Sequence, residues 1–439
     1  MKLLAGLVQK GAAAAETLTG KRFALLVASS LVATSGIVAV GANSSSGLSP
    51  MEAAAVQALA AQESTVASAP VATPEPASPA PAPEATPSPS PSPSAPLAPA
   101  PVAPEPAPEP EPETPSAPPT EEEAGPASPI QHVFLISLAS PGYEPAFGST
   151  SQMPYLSATL RPQGVLLTNY SLLDTTALPN EIAAVSGQAP TAATRENCPT
   201  YSELISGNGC IYPVETLTLA DQFVGARLRW HGYFEGMVDA EGKADNCVHP
   251  EPEAAETPTA TGYAARLNPF VFFHSLLDLG DCDENDVPLD SLKADLRKTD
   301  ATANFTYISP TLCNAGFRGT CPEGTAEGAA AADAFLARVV PEILASPAYK
   351  KDGLLIVSFG AADPAPPTDP AAPPADPRKV GGLLVSPLLS PGGTDGAAYD
   401  PYSVLRSIED LFGLDPLGKA AGTKVKSFAT AFTAGNGGD

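Results

Sequence analysis

The chain has 439 residues, 52 of them Pro and only 16% charged, with a formal net charge of -25. That length holds one large domain with extensions. The acidity argues against nucleic acid as a partner, because a strongly negative chain is repelled by phosphate backbones, and points instead to solubility and cation attraction.

Residues 1–22 carry Lys2, Lys10, Lys21 and Arg22 without a sustained apolar run and read as a basic cytoplasmic segment. Residues 23–42, Phe23 to Ala42, are uncharged and mostly apolar, a stretch of about 20 residues that is long enough to span a bilayer. Basic residues ahead of it keep the N-terminus inside and send the remainder out. Two readings stay open. One is an uncleaved signal anchor, giving a single-pass cell-membrane protein with an extracytoplasmic domain. The other is a signal peptide cut after Val40-Gly41-Ala42, giving a secreted protein.

Residues 43–129 are rich in Ala, Pro and Glu. Met51 to Gln62 suits a short helix. From Ser68 to Pro129 the chain is mostly Pro, Ala, Glu and Ser, as in Pro87-Ser-Pro-Ser-Pro-Ser-Pro93. Pro fixes φ and removes backbone donors, so a disordered, extended polyproline-type stalk is expected, stretched further by its mutually repelling Glu residues. Such a stalk holds a domain away from the membrane.

The texture changes at Gln131, and residues 130–420 read as one folded domain followed by a tail over 421–439. His132 to Leu138 is an apolar run with β-branched and aromatic members, the pattern of a buried parallel strand. Further strands are expected over 164–170, 229–234, 304–309, 353–359 and 380–386. Helices are expected over 153–160, 181–185, 217–224, 333–345 and 403–411. This alternation predicts an α/β fold with a mainly parallel central sheet flanked by helices. Sites in such sheets form past the carboxyl ends of strands, here the loops after Leu138, Tyr170 and Phe359.

Six Cys, at Cys198, Cys210, Cys247, Cys282, Cys313 and Cys321, all fall in the domain, with no Cys-x-x-Cys spacing of the zinc type. Their even number suits three disulfides in an oxidising compartment. Sequence proximity favours Cys198–Cys210 and Cys313–Cys321, leaving Cys247–Cys282. His132, His231, His249 and His274 are scattered and read as hydrogen-bonding residues rather than metal ligands. Asp281-Cys-Asp-Glu-Asn-Asp286 resembles a calcium loop in composition but lacks EF-hand spacing and its terminal Glu, so an exposed acidic turn is expected; Asp278 and Asp281 remain weak calcium candidates. Neither a Gly-x-Ser-x-Gly elbow nor a Gly-rich phosphate loop is present.

Several segments taken together carry a resemblance. They are Pro154-Tyr-Leu156, Gly164 with Thr168-Asn-Tyr170, Leu178-Pro-Asn180 followed by Ser186-Gly187, and Leu219-Ala-Asp-Gln222. The series continues with Asn268-Pro-Phe-Val-Phe-Phe273, Tyr307-Ile-Ser-Pro-Thr-Leu-Cys-Asn314, Val385-Ser-Pro387 and Tyr402 to Leu414. In this order the domain resembles the bacterial phosphoesterase family that includes acid phosphatases and phosphocholine-type phospholipases C, within the alkaline-phosphatase-like superfamily.

The resemblance implies a metal-assisted phosphate-ester hydrolase, and the chain departs from it where the chemistry belongs. Family members carry Glu-Asn as metal ligands after the first strand; here Ala139 and Ser140 follow. The nucleophile, a Ser or Thr two residues before the Pro of the Leu-Pro-Asn motif, is Ala177, with Thr176 adjacent. A second ligand pair, Asp-Glu, is replaced by Gly360 and Ala361, with Asp363 late in that register. Leu267, Ala315, Phe317 and Pro401 stand where the family often has His or Asp. A methyl group neither attacks phosphorus nor binds a cation. The expectation is a catalytically inactive pseudoenzyme acting in binding to an envelope component or protein partner, with Ser140, Asn180, Asn268 and Asn314 lining its pocket and no cofactor. The alternative is an active hydrolase with a rearranged site that uses Thr176, Glu144, Asp363 and a divalent metal. A third reading is a purely structural spacer.

Overall fold

His132–Ser140 is buried along all nine residues and forms a central strand of the sheet, which explains why it reads as a mostly apolar run. The computed structural model describes residues 128–364 and 376–433. The expected basic segment and membrane segment, and the stalk as far as residue 127, lie outside the described residues. Among the described residues no helix is long and apolar enough to cross a membrane.

The strands are β1 (His132–Ser140), β2 (Val165–Leu167), β3 (Trp230–Phe234), β4 (Asp286–Pro288), β5 (Phe305–Ser309), β6 (Gly353–Ala362), β7 (Gly382–Val385) and β8 (Gly393–Asp395). They form one sheet in the order β4-β3-β5-β1-β6-β7-β2-β8. β7 runs antiparallel to both β6 and β2, and the other recorded pairings are parallel. The mainly parallel α/β fold expected from the alternation is therefore present. β4 and β8 were not anticipated, because three residues are too few to show a periodicity.

Four longer helices match expected positions: α1 (Ala177–Ser186), α2 (Leu219–Gly225), α3 (Ala329–Ala345) and α4 (Pro401–Phe412). α1 begins four residues earlier than the apolar spacing suggested, since Pro179 sits in its first turn, where its missing N–H costs nothing. All ten residues of α1 are buried, so it is a core helix rather than an amphipathic one. It ends at Gly187, whose φ of 69° supplies the left-handed cap. α2 starts with a capping box between Thr218 and Asp221. Residues expected to form an ordinary helix over 153–160 instead wind as a π-helix, Tyr155–Leu160. The buried carboxylate of Asp333, on α3, accepts hydrogen bonds from the N–H groups of Tyr155 and Leu156 at its start, both at 2.9 Å.

Cys198 pairs with Cys210, Cys247 with Cys282 and Cys313 with Cys321. Three disulfides in one domain are characteristic of an oxidising, extracytoplasmic compartment.

Candidate functional site

The carboxyl ends of β1 and β6 lie side by side, with Ala139 opposite Ala361 and Ser140 opposite Ala362 after a register shift between Leu138 and Ala139. The N-terminus of α1 meets them there, because Ala362 N–H donates to Thr175 O at 2.9 Å. Around this junction Ala139, Ala177 and Ala361 form one buried apolar cluster with Ala264, Leu267, Leu312 and Ala315, and Phe317 packs against it. Several of the segments that resemblance marked as reactive thus converge in space, bringing methyl, isobutyl and phenyl groups, with Ser140 following Ala139 at the same strand end.

Asn180 fixes the loop that leads into α1. Its Oδ1 accepts from the N–H groups of Leu173 and Asp174, and its Nδ2 donates to the carbonyls of Asp174, Thr176 and Gly360, at 2.7–3.2 Å. These bonds consume the side chain's capacity, so Asn180 shapes the loop and presents nothing to a ligand. Asn268 is likewise buried, accepting from Phe270 N–H and donating to Tyr263 Oη at 3.0 Å. Ser140 is buried, and its Oγ accepts from Gly142 N–H. Of the four expected pocket residues, Asn314 alone lines an open cleft.

The polar residues of the rearranged-site alternative stand apart and engaged. Thr176 Oγ1 donates to Asp174 Oδ1 at 3.1 Å, and Asp174 also pairs with Arg195. Asp363 accepts from the Arg318 N–H at 2.7 Å and pairs with its guanidinium at 2.8 Å. Glu144 is exposed on the short helix Tyr143–Phe147. Among the described residues no group of three or more His, Cys, Asp or Glu is placed to hold a metal.

The histidines have local roles. His132 pairs with Asp352 inside the domain, His274 bonds Asp278 and Glu203, and His249 stacks on Tyr201. Burial pushes the His231 pKa down. The acidic stretch departs from the expected exposed turn at its end. Asp281–Asn285 is a short helix, and Asp286 heads β4 fully buried, its carboxyl pushed well above the usual range by burial. Asp286 is drawn inside because it pairs in the sheet with Gly232 of β3.

Two acidic residues escaped the sequence reading. Glu181, on α1, lies directly beneath the apolar cluster's strands, accepting from Ser137 Oγ and Tyr307 Oη, each at 2.6 Å. Burial pushes its pKa up to about 7, against the pull of those two hydrogen bonds. Its position next to Asn180 was a signal, but a Glu near a helix start is ordinary. Glu235 follows β3. Its Oε2 accepts from Thr311 N–H, Thr311 Oγ1 and Asn314 Nδ2, while Oε1 pairs with Arg338. Glu235 lines a cleft of about 880 Å³ that touches the apolar cluster at Leu312 and is walled on one side by the Cys313–Cys321 disulfide.

The family model described as Phosphoesterase family matches residues 149–415. No curated protein matches the chain. Similar solved structures include a protein in the alkaline phosphatase superfamily from Vibrio parahaemolyticus, 12% identical, over 68% of this chain and 71% of that one, with a TM-score of 0.41. A phosphonate monoester hydrolase from Silicibacter pomeroyi is 12% identical over 69% and 77%, with a TM-score of 0.39. A sulfatase from Pseudoalteromonas sp. is 10% identical over 65% and 68%, with a TM-score of 0.41.

Proposed function

We propose that this chain, which belongs to the Phosphoesterase family through residues 149–415, is a binding domain that keeps the family's frame without its phosphoryl-transfer chemistry. The observation that carries this reading is the meeting of Ala139, Ala177 and Ala361 in one buried apolar cluster. Phosphoryl transfer needs a nucleophile and compensating positive charge on each phosphoryl oxygen. Three methyl groups offer neither.

A divalent metal does not fit the residues present. Hard and borderline cations require oxygen, nitrogen or thiolate donors. The positions that resemblance assigns to ligands carry none, except Ser140, whose Oγ is buried against a backbone N–H. The rearranged site would require Thr176 to leave Asp174 and Asp363 to leave Arg318, with nothing in the contacts to drive either change. On this reading, the segment 23–42 and the stalk hold the domain outside the membrane, where it binds an envelope component.

The test is hydrolysis of a chromogenic phosphate monoester and a phosphocholine diester, with calcium, zinc, magnesium and manganese supplied in turn. No turnover above the uncatalysed rate is expected. Turnover that rises with any one metal overturns the proposal.

A further inference from the structure

Six large apolar side chains are exposed among the described residues, and four of them, Ile205, Val214, Leu217 and Leu279, stand on segments joined to one short helix, His274–Leu277. His274 Nε2 bonds Glu203, two residues before Ile205, at 3.0 Å. His274 N–H donates to Tyr212 O, two residues before Val214, at 3.0 Å. Ser275 Oγ lies 3.4 Å from Thr216 O, next to Leu217, and 3.0 Å from Asp221 Oδ2 on α2. Leu279 stands two residues past the helix. Ile205 and Leu279 are 70% and 72% exposed, so each keeps most of its apolar surface in water. Single exposed apolar residues are ordinary, but four gathered round one helix make the kind of patch that marks an interaction surface. None of them belongs to the cluster of Ala139, Ala177 and Ala361, so this surface does not rest on the non-catalytic reading.

The charge beside the patch says what kind of partner fits. Glu203 and Asp278 are both engaged by His274, and Asp221 by Thr218 and Ser275. Glu215, Asp281, Asp283 and Glu284 are different, because no ion pair among the described residues takes any of them. Glu215 lies between Val214 and Leu217, and the helix Asp281–Asn285 begins two residues after Leu279. The Asp281 carboxyl is pushed above its usual range by partial burial and by the like charges of Asp221 and Glu284, with no cation offsetting them. A second copy of this chain would bring the same carboxylates. A net charge of -25 opposes both self-pairing and an anionic lipid surface. A plain polycation would leave the apolar ground uncovered. We infer that this face docks a basic amphipathic segment of a protein partner. Its apolar residues cover Ile205, Val214, Leu217 and Leu279, and its Lys or Arg residues meet Glu215, Asp281, Asp283 and Glu284.

The test is a calorimetric titration of the full chain with a helical peptide carrying leucines on one face and lysines on the other. Two control peptides replace every Lys by Glu or every Leu by Ser. Saturable one-to-one binding of the Leu–Lys peptide is expected, at least roughly tenfold tighter than either control. Ile205→Ser combined with Leu279→Ser is expected to weaken it by roughly tenfold or more, and Asp283→Lys combined with Glu284→Lys to do the same. All four side chains are exposed, so the melting curves of both double variants should match the parent's. Leu388→Ser, at an exposed apolar residue beyond β7, should leave the affinity unchanged. No binding, equal binding of the Ser-containing peptide, or indifference to the Ile205–Leu279 double variant overturns the inference. So does self-association of the chain, or adsorption to phosphatidylglycerol vesicles, that this double variant abolishes, since either puts a different occupant on the face.

Discussion

A Cβ placed on Gly360 would lie 1.7 Å from Glu181 Oε1. Gly360 stands where the resemblance expects the first member of a metal-binding Asp-Glu pair, so that position is backed by a carboxylate arriving from α1. No side chain can be restored at 360 while Glu181 keeps its place between Ser137 and Tyr307. The glycine at 360 and the buried Glu181 therefore belong to one packing arrangement.

Gly360→Ala is therefore expected to destabilise the domain by about 3 kcal/mol or more, the upper range for an overpacked site. Removing the obstacle should recover part of the loss. In urea unfolding, Gly360→Ala combined with Glu181→Ala should be less destabilised than the sum of the two single variants. Strict additivity would mean the two positions do not collide.

Ala177→Ser returns a hydroxyl to the nucleophile position without returning its ligands. No phosphatase turnover is expected, because Ala139 and Ala361 still face it. Its cost is about 1–3 kcal/mol for placing a hydroxyl in an apolar cluster. Thr176→Ala is expected to cost less than about 1 kcal/mol, since Thr176 makes no side-chain cap bond to α1. Phosphate release with added metals and a melting curve check both variants, and turnover by Ala177→Ser would contradict the account.

Stability should fall as pH rises from about 4.5 to about 7. Glu181 is raised from its ordinary 4.5 to about 7 by burial, and Glu409 is raised to about 7 by burial as well. In that window the native state holds protons that the unfolded chain has released, so deprotonation favours unfolding. For Glu181 the full loss is at most about 3 kcal/mol, complete above its folded value. Asp174, held below its usual range by hydrogen bonds from Thr176 and by Arg195 despite partial burial, acts the other way at the acid end. Urea midpoints measured across this range should slope downward, and Glu181→Gln should flatten the slope. A midpoint that climbs between pH 5 and 7 would show that the carboxyl ionises freely in the fold.

Mild reductant should reach Cys313 and Cys321 first. Both are partly exposed at the cleft wall, whereas Cys198, Cys210 and Cys282 are at most 1% exposed and Cys247 is 8% exposed. Access governs thiol–disulfide exchange. Timed alkylation followed by mass spectrometry gives the order, and simultaneous loss of all three pairs would refute it.

The runs that became β1 and β6 were legible because central parallel strands are apolar on both faces. Ala139, Ala177 and Ala361, at positions that the resemblance marks as reactive, were legible too, as alanines in recognisable surroundings. Their closure by Leu267 and Leu312 was not, because those residues come from segments far away in sequence and only the folded chain brings them together. Asn180, Asn268 and Ser140 carried the polar character expected of pocket residues, yet composition does not reveal where a side chain's hydrogen bonds go. Glu181 and Asp286 were hidden for a related reason: an acidic residue reads as solvent-facing until neighbouring strands enclose it.

The Asn180 amide also bears on where the protein can operate. The loop before α1 is pinned by groups belonging to the chain itself. A hydrolase whose loops are organised by metal slackens when its surroundings are stripped of divalent cations. On the non-catalytic reading, this domain should hold its shape through such famine, and a chelator should leave its melting temperature unchanged.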